Sequence, residues 1–382
     1  MSDNPHINPN RSAVSLPDPL ELAASAMPGV LERLRALPER TPAALVSIGE
    51  MLRGGRHFAA ASVLFAACVA QVPDSAHFLL AKLASQLRGG VPMSPDDQDR
   101  LGRLEPDFLR YLKGLELTVA KGLADPAQAL AVMGHCFEAS MSGSELDWLY
   151  LRVAATHYMA QQMYPLSTEE LIPQRLFFYW DRNPPEEVHT NVARHSSQSG
   201  LEVVLYSREM GVAFLDRHYG RDCRLLFEGL RHPAEESDFL RYHLVHHFGG
   251  YYLDTDEALI SPQRLRDMAL GTEAIFFLSA TGPVENALFG AVAGSKVIEE
   301  ALRVLLHNCY AHAEDSIWQK TGPGVLTRAL VRLYHRSFAG DARLPRFCIR
   351  PESDFGQVVG SLPMPYRADQ RDWRLFERQA SS

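Results

Sequence analysis

The sequence predicts a two-part protein, in which an all-α domain precedes an α/β domain of alternating strands and helices. Three observations lead to this prediction. The chain has 382 residues, which exceeds the size of one ordinary domain. Alanine and leucine are dense over 18–164, and the patterns there are helical. From Pro165 onward, short runs of β-forming residues alternate with helical patterns. We therefore expect a leader over 1–17, a helical domain over 18–164 and an α/β domain over 165–382.

Composition limits the classes of protein to which this chain can belong. Hydrophobic residues make up 46% and charged residues 22%, so a normal globular core is available. The net charge of −8 argues against a nucleic-acid-binding protein, which would show a basic face. The five cysteines are scattered without CxxC spacing, as expected for reduced thiols in the cytoplasm. The sequence contains no run of about 18 apolar residues, so we expect no membrane-spanning helix.

The first 17 residues are polar and rich in Asn, Pro and Ser, without the hydrophobic core of a signal peptide. A disordered leader is the prediction. The non-classical secretion signal of an effector protein has a similar composition, so a cytoplasmic enzyme and a secreted effector both remain open.

One stretch of the helical part has the spacing of a tetratricopeptide repeat. The matching positions are Leu45, Ile48, Gly49, Leu52, Ala61, Phe65, Cys68 and Pro73. This pattern places small residues where two antiparallel helices cross closely, and Gly54-Gly55 would form the turn between them. The helix over 76–87 starts like a second repeat, but the period is not sustained after Gly90. A single repeat-like unit and an ordinary helical bundle both fit. A repeat would present a concave face to a protein partner.

Strands and helices alternate in the α/β part. The runs 172–180 and 201–206 predict two strands, while 187–195 and 208–219 predict helices. This strand–helix–strand order gives a parallel βαβ unit. We therefore expect a largely parallel sheet with helices packed on it.

The stretch Glu235–Ile260 joins a helix to a strand that ends in two acidic residues. Apolar residues recur every four positions from Leu240 to Phe248, which predicts the helix. Gly249-Gly250 follows, where the chain must leave the helix with positive φ. A short run of β-formers then leads into Asp254-Thr255-Asp256.

Asp254 and Asp256 are the candidate metal ligands. Residues i and i+2 of a strand point to the same side, so both carboxylates can face one locus. Hard divalent cations such as Mn²⁺ or Mg²⁺ prefer oxygen ligands, and ligands of open α/β sheets bind at the carboxyl ends of the strands. An isolated Asp-x-Asp is more often a solvated turn, so the neighbouring residues decide its meaning.

Asp238 and Arg241 lie three residues apart and share a face of the helix before the strand. An acid and a base side by side there could bind sugar hydroxyls or phosphate. The alternative is a surface ion pair, worth roughly 0.2–0.5 kcal/mol. The order and spacing of helix, Gly-Gly, strand and acidic pair favour a site.

The segment SDFLRYHLVHHFGGYYLDTD resembles the signature of DXD-containing sugar-nucleotide glycosyltransferases. The nearest groups are the bacterial and fungal Och1-like mannosyltransferase and capsular glycosyltransferase family and the large clostridial glucosylating toxins. The family pattern is Ser-Asp-x-x-Arg, a helix, then Gly-Gly-x-Tyr-x-Asp-x-Asp. The matching residues are Ser237, Asp238, Arg241, Gly249, Gly250, Tyr252, Asp254 and Asp256.

The resemblance implies a GT-A (Rossmann-like) glycosyltransferase fold for the α/β domain and roles for further residues. Trp180 matches a tryptophan that stacks on the nucleotide base, and Asn286 matches an asparagine near the sugar or acceptor. Gly250 and Tyr252 of the motif are assigned to substrate binding. Trp180 could instead be a core residue at a strand end, and Asn286 a turn or cap residue. Asp181 stands where the family often has glycine.

The C-terminal third is predicted to contain a strand over 274–278, a helix over 297–310, a helix opened by Thr321-Gly322-Pro323, and a last strand near Cys348. The Thr-Gly-Pro segment resembles one in the family and is interpreted as structural. The family's C-terminal motif near the metal and diphosphate has no clean counterpart, and Asp354 and Trp373 are the candidates for it.

These observations predict a metal-dependent glycosyltransferase that moves a hexose from a nucleoside-diphosphate sugar to a glycan or protein acceptor. Asp254, Asp256, Asp238 and Arg241 are the predicted catalytic residues. Retention of configuration is implied by the resemblance alone. Two alternatives remain open, namely an interaction protein with an inactive transferase domain and an effector that glycosylates a host protein.

Overall fold

A computed structural model describes residues 18–119, 125–134, 145–161, 168–279, 282–311 and 313–364, together with Phe376. The chain divides into two compact units, Met1–Pro106 and Asp107–Ser382. The predicted leader over 1–17 lies outside the described residues.

In the described part of the first unit, all regular secondary structure is helical. Its helices are α1 (Pro19–Ala24), α2 (Val30–Arg35), α3 (Pro42–Gly54), α4 (Phe58–Gln71), α5 (Ala76–Arg88) and α6 (Pro95–Leu104). The side chains of Thr41 and Ser75 accept hydrogen bonds from the first turns of α3 and α5, which caps these helices. The apolar faces of α1 to α5 share one core.

The pair α3–α4 is the two-helix unit that the sequence predicts. A methyl group added to Gly49 would lie 2.9 Å from the Cζ atom of Phe65, so the two helices approach closely at this glycine. Leu45, Ile48 and Leu52 are buried beside it. The helical hairpin is therefore present, while its identity as a tetratricopeptide repeat stays a prediction.

In the second unit, three helices precede the described sheet. These are α7 (Pro106–Val119), α8 (Pro126–Met133) and α9 (Glu145–Gln161). The sequence assigns them to the N-terminal domain, whereas the compact units divide at residue 106. The reason lies in long-range contacts of α9. Its Asp147 forms a buried ion pair with Arg328 at 2.8 Å, and the Tyr150 hydroxyl lies 3.1 Å from Nδ1 of His335.

The described part of the second unit contains a six-stranded sheet in the order β2-β1-β3-β6-β5-β7. The strands are β1 (Arg175–Tyr179), β2 (Glu202–Tyr206), β3 (Gly250–Leu253), β5 (Ala274–Phe277), β6 (Leu288–Ala291) and β7 (Phe347–Arg350). β1 pairs in parallel with β2 and β3, and β5 pairs in parallel with β7. A two-stranded sheet joins β4 (Glu257–Leu259) to β8 (Val359–Ser361). The fold is thus a mixed α/β fold with a largely parallel sheet, as predicted.

The helices of this unit complete the layers around the sheet. They are α10 (Glu186–Gln198), α11 (Arg208–Tyr219), α12 (Arg221–Glu228), α13 (Pro233–Phe248), α14 (Pro262–Ala269), α15 (Lys296–Ala311), α16 (Ile317–Lys320), α17 (Pro323–Phe338) and α18 (Glu352–Val358). The predicted helices over 187–195, 208–219, 235–248 and 297–310 correspond to α10, α11, α13 and α15, and are confirmed within a few residues.

Strand β6 was not predicted from the sequence. It pairs antiparallel with both β3 and β5 and so joins the two parallel parts of the sheet. Its run, Leu-Phe-Gly-Ala, has only four residues and contains a glycine, which gives a weak strand signal. The glycine has a packing reason. A methyl group at Gly290 would lie 2.4 Å from the ring of Tyr251, its partner on β3.

Gly290→Ala should therefore destabilise the second unit. The buried Tyr251 ring would have to move, and overpacking of this kind costs about 1–3 kcal/mol. Gly356→Ala in α18 is the matched control, because the added methyl group meets nothing within 4 Å. This control should leave stability unchanged or raise it by up to about 1 kcal/mol. Urea unfolding of the two variants measures the difference, and equal free energies of unfolding would contradict the packing explanation.

Among the described residues, no helix combines the length and the apolar character needed to cross a bilayer.

Candidate functional site

A cleft of about 440 Å³ opens beyond the carboxyl ends of β1 and β3. The structure brings most of the predicted site residues together here. Its lining includes Trp180, Asp238, Arg241, Tyr252, Asp254, Asp256 and Asn286. Gly250 is not among the lining residues. The position of the cleft agrees with the rule that ligands of α/β sheets bind at the carboxyl ends of strands.

Two glycines set the path from α13 into the strand that carries the acidic pair. Gly249 has φ of 66° and Gly250 has φ of 115°, which confirms the predicted break after the helix. A methyl group at Gly250 would lie 2.8 Å from the carbonyl oxygen of Arg175 on β1. The absence of a side chain at Gly250 allows β3 to pair closely with β1. This pairing positions Asp254 and Asp256 at the end of β3.

Arg241 lies at the centre of the site and is almost fully buried, with 3% of its surface exposed. Its Nη2 atom lies 3.0 Å from a carboxylate oxygen of Asp238 and 3.0 Å from one of Asp254. Its Nη1 donates to the carbonyl oxygen of Asn286 at 2.5 Å. The guanidinium also lies 4.4 Å from the ring centre of Tyr252. The guanidinium of Arg241 thus bonds to protein groups, and its main effect is to fix the carboxylates of Asp238 and Asp254.

Asp238 is held from several sides. Oδ1 accepts a hydrogen bond from the Asn286 amide at 2.9 Å, and Oδ2 accepts one from the Thr321 hydroxyl at 3.0 Å. Burial raises the pKa of Asp238 to about 6, and the neighbouring Arg241 opposes that rise. The alternative of a surface ion pair is excluded for Asp238 and Arg241, because both side chains are buried.

Asp254 and Asp256 follow the end of β3 and both line the cleft. The backbone N–H of Asp254 donates to the carbonyl oxygen of Ala287 at 2.9 Å, which fixes the chain where the strand ends. Burial raises the pKa of Asp254 to about 7, Arg241 opposes the rise and Asp256 adds to it. The alternative of a solvated turn is therefore excluded for Asp254, whose carboxylate is paired and partly buried.

These two carboxylates fit a divalent cation. They are oxygen ligands facing one cleft, and a cation there would relieve the repulsion between them. Within the described residues, no group of three or more His, Cys, Asp or Glu side chains is arranged to hold a metal ion. The described residues would therefore supply two carboxylates, and a bound ligand would supply further oxygens.

Cation binding at Asp254 should depend on pH. A carboxyl with a pKa of about 7 is roughly one-tenth ionised at pH 6 and nine-tenths at pH 8, so Mn²⁺ affinity should rise about tenfold over this range. Calorimetric titration with Mn²⁺ at both pH values measures it. Asp254→Asn should bind Mn²⁺ more weakly and lose most of the pH dependence. Equal affinity of the unmodified protein at pH 6 and pH 8 would contradict the assignment.

Tyr252 and Asn286 line the cleft but support other groups. Tyr252 is fully buried, and its hydroxyl lies 2.7 Å from that of Ser237. The ring of Tyr252 lies under Arg241. The Asn286 amide donates to Asp238, so it orients that carboxylate. These contacts do not test the predictions that Tyr252 and Asn286 bind the substrate directly. They show that both residues hold the Asp238–Arg241 pair in place.

Trp180 lies at the end of β1, half-buried. Its indole Nε1 donates to the carbonyl oxygen of Arg182 at 3.0 Å. Its backbone N–H donates to the carbonyl oxygen of Tyr206 at 3.0 Å. The indole hydrogen bond orients the ring. Trp180 also lines the cleft, which is where a stacking platform for a base would have to lie.

Glu285 and Trp318 are among the lining residues that were not predicted from the sequence. Glu285 is a cleft carboxyl whose pKa is raised to about 7, chiefly by burial and then by Glu352 and Glu257. Trp318 on α16 lies edge-to-face against Trp148 of α9, with ring centres 5.2 Å apart. No local pattern marks these residues, because each reaches the cleft through contacts distant in sequence. The Thr321 hydroxyl, interpreted as structural, does hold Asp238.

The candidates for the missing C-terminal motif are not found in the cleft. Asp354 on α18 is ion-paired with Arg350 at 3.0 Å and is not among the lining residues. Trp373 lies outside the described residues. A third protein ligand for a metal is therefore not supplied by Asp354.

Residues 185–275 match a family model described as a glycosyltransferase sugar-binding region containing a DXD motif. The match includes Asp238, Arg241 and the acidic pair, and it confirms the resemblance drawn from the sequence.

Two curated yeast proteins are similar over part of the chain. Inositol phosphoceramide mannosyltransferase 1 of Schizosaccharomyces pombe is 24% identical over 163 residues, which is 40% of this chain and 50% of that protein. Mannosyl phosphorylinositol ceramide synthase SUR1 of Saccharomyces cerevisiae is 32% identical over 106 residues, 27% of this chain and 26% of that protein. The chain thus spans half of the first relative and about a quarter of the second. Both names point to the glycosyltransferase class.

Among solved structures, the PaToxG glycosyltransferase matches 60% of this chain and 95% of its own chain, with 13% sequence identity and a TM-score of 0.33.

Proposed function

We propose that this chain, whose residues 185–275 are a DXD-type glycosyltransferase sugar-binding region, is a metal-dependent hexosyltransferase that uses a nucleoside-diphosphate sugar. The observation that carries the proposal is the convergence of Asp254, Asp256 and the buried Asp238–Arg241 pair in one cleft that Trp180 also lines. Mannose is the favoured sugar, because both curated relatives have names that denote mannosyl transfer.

The site residues divide into two sets. Asp254 and Asp256 would hold Mn²⁺ or Mg²⁺, which supplies positive charge to the leaving diphosphate. Arg241 holds one oxygen of Asp254, so it orients that carboxylate toward the cleft. Asp238, Asn286 and Thr321 form the support for Arg241 and for the wall of the cleft. Stabilisation of the leaving group should then be the largest contribution to the rate.

We further propose that the second unit has the GT-A fold and that transfer retains configuration. Support for the fold comes from the parallel strands β1, β2 and β3 with the cleft at their carboxyl ends. For retention, the support is the family resemblance alone. The state of Asp238 bears on the choice between the two retaining mechanisms, because both of its oxygens already accept hydrogen bonds. A carboxylate held in this way is a poor nucleophile, which favours attack by the acceptor on the front face.

Donor hydrolysis tests the proposal directly. The full chain is incubated with a panel of UDP- and GDP-sugars in Mn²⁺, in Mg²⁺ and in EDTA, and the released nucleoside diphosphate is measured. We expect release from at least one donor in the presence of a cation and none in EDTA. Absence of release from every donor would support the alternative, an interaction protein with an inactive transferase domain.

The acceptor is proposed to be a glycan or a protein. The separate helical unit Met1–Pro106 provides a candidate surface for a protein partner, and a cytoplasmic location stays a prediction. Incubation of labelled donor with cell lysate separates the two acceptors, since protease treatment releases the label only from a protein. Label on host proteins would favour the effector interpretation.

A further inference from the structure

The acidic pair lies on a tight turn over 254–257, which we call the acidic turn. Its backbone carbonyl oxygens all accept hydrogen bonds, and two of these bonds come from the backbone. The Asp254 oxygen accepts from the N–H of Glu257 at 3.0 Å, which closes the turn. The Asp256 oxygen accepts from the N–H of Leu362 at 2.8 Å, next to β8. The turn is therefore held from within and from the C-terminal part of the sheet.

Asn191 on α10 holds the other two carbonyl oxygens of the acidic turn. Its Nδ2 donates to the oxygen of Thr255 at 3.1 Å and to the oxygen of Glu257 at 2.7 Å. Because both partners can only accept, the amide nitrogen and not Oδ1 must face the turn. Thr255 and Glu257 flank Asp256, so one amide group fixes the backbone on both sides of that residue.

Helix α10 bonds to the same segment once more, one helical turn later. Nε2 of His195 accepts a hydrogen bond from the N–H of Leu259 at 2.9 Å. The proton of the neutral imidazole must then lie on Nδ1, which donates to the Asn191 carbonyl oxygen at 2.7 Å. Burial lowers the pKa of His195, which favours this neutral ring. Helix α10 is thus bonded to the chain at positions 255, 257 and 259.

Packing alone would not favour an asparagine at position 191. The side chain is only 3% exposed, and in the described part of the chain its Oδ1 has no hydrogen-bond partner. A buried acceptor without a partner lowers stability, whereas leucine has the same branched shape and no polar atom. What the amide provides is the pair of bonds to the acidic turn. Asn191 is not among the residues that line the cleft, so it acts through the backbone that it holds.

We propose that Asn191 is a positioning residue for Asp256, which directs that carboxylate toward the cation by fixing the backbone around it. The inference rests on the proposed function. The two carboxylates are then held in different ways. Arg241 bonds directly to the carboxylate of Asp254, whereas Asn191 bonds to the residues on either side of Asp256. A cation needs both carboxylates at once, so a looser turn weakens its binding although neither ligand has been removed.

Calorimetric titration of the full chain with Mn²⁺ alone tests the assignment. Asn191→Leu keeps the branched shape but removes the amide, so Mn²⁺ affinity should fall about tenfold, as is usual for groups that orient metal ligands. Asn191→Ala is a second variant for the case in which the leucine variant does not fold, and it should show a similar loss. Val188→Ala is the matched control, because it removes buried apolar contacts from the same helix and leaves the amide in place. Its Mn²⁺ affinity should equal that of the unmodified protein.

Donor turnover gives a second measurement that separates positioning from ligation. In Asn191→Leu, the Mn²⁺ concentration for half-maximal turnover should rise about tenfold, while the rate at saturating Mn²⁺ stays within about threefold of the unmodified rate. Asp256→Asn should lower the rate at saturating Mn²⁺ as well, because a ligand itself is changed.

The possible failures are distinguishable. If both Asn191 variants bind Mn²⁺ as tightly as the unmodified protein, the positioning role is overturned and the proposed transferase is not. The role is also overturned if Val188→Ala loses as much affinity, since the loss would then follow from destabilisation of α10 in general. If the unmodified protein binds neither Mn²⁺ nor Mg²⁺ and releases no nucleoside diphosphate from any donor, the proposed function fails as well.

Discussion

Asp256→Asn is expected to reduce the proposed hexosyl transfer by about 100-fold or more and to leave the fold intact. The substitution keeps the shape of the side chain but removes one of the two negative charges that face the cleft at the end of β3. Loss of one group that stabilises charge in a transition state typically costs about 10²–10³ in rate. The rate of donor turnover in saturating Mn²⁺ measures the effect. Activation by Mn²⁺ should weaken in parallel, because the remaining carboxylate binds the cation less tightly.

A matched control separates this effect from a general change of charge. Asp216→Asn makes the same chemical change on α11, where the carboxylate is exposed and pairs with Arg224 at 3.0 Å. Its turnover should equal that of the unmodified protein. Undiminished turnover in Asp256→Asn would refute the metal-ligand role of Asp256 and leave the DXD segment without its proposed chemistry.

Arg241→Met should lower both stability and activity. Removal of the guanidinium leaves the Asp238 carboxylate buried without its ion-pair partner and frees Asp254 from its anchor. Breaking a buried pair in this way costs about 3–5 kcal/mol. Urea unfolding at pH 8 measures the loss. Because Asp254 would no longer be oriented, turnover should fall even under conditions in which the variant is folded.

The pH dependence of Arg241→Met gives a second measurement. Burial already raises the pKa of Asp238 and of Asp254 above the ordinary value, and Arg241 opposes that rise. Without Arg241 both pKa values should rise further. A carboxyl whose folded pKa exceeds its unfolded pKa costs stability as the pH rises from the unfolded toward the folded value. The variant should therefore be less impaired at pH 5 than at pH 8.

Two further variants check the cause of this loss. Arg241→Met combined with Asp238→Asn should regain part of the stability at pH 8, since the buried charge is gone. Arg224→Met removes surface pairs with Asp216 and Glu228 and should cost no more than about 1 kcal/mol. If Arg241→Met matches Arg224→Met in stability, the buried network does not hold the site together.

Much of the candidate site could be predicted from the sequence because its signals are local. The apolar spacing of α13, the glycines that follow it and the short strand before Asp254 all lie within one stretch. Side-chain periodicity, positive φ at glycine and the i, i+2 geometry of a strand act over a few residues. The helix, the break and the common direction of the acidic pair follow from them.

Other features depend on contacts between distant parts of the chain. The Arg241–Asn286 bond spans 45 residues and the Asp238–Thr321 bond spans 83. Glu285 and Trp318 reach the cleft in the same way. Strand β6 is held in the sheet by pairing with β3 on one edge and β5 on the other. Its own sequence is too short and too rich in small residues to predict a strand.

By itself, the sequence determined the class of the fold, the elements around the DXD segment and the chemistry that two carboxylates at a strand end can perform. The tertiary structure alone decided that Asp238 and Arg241 are a buried support for Asp254, and that helix α9 packs with the unit that contains the sheet. The physical reason is that propensity and periodicity act between near neighbours. Burial, and the ion pairs that it strengthens, exists only once distant segments have packed together.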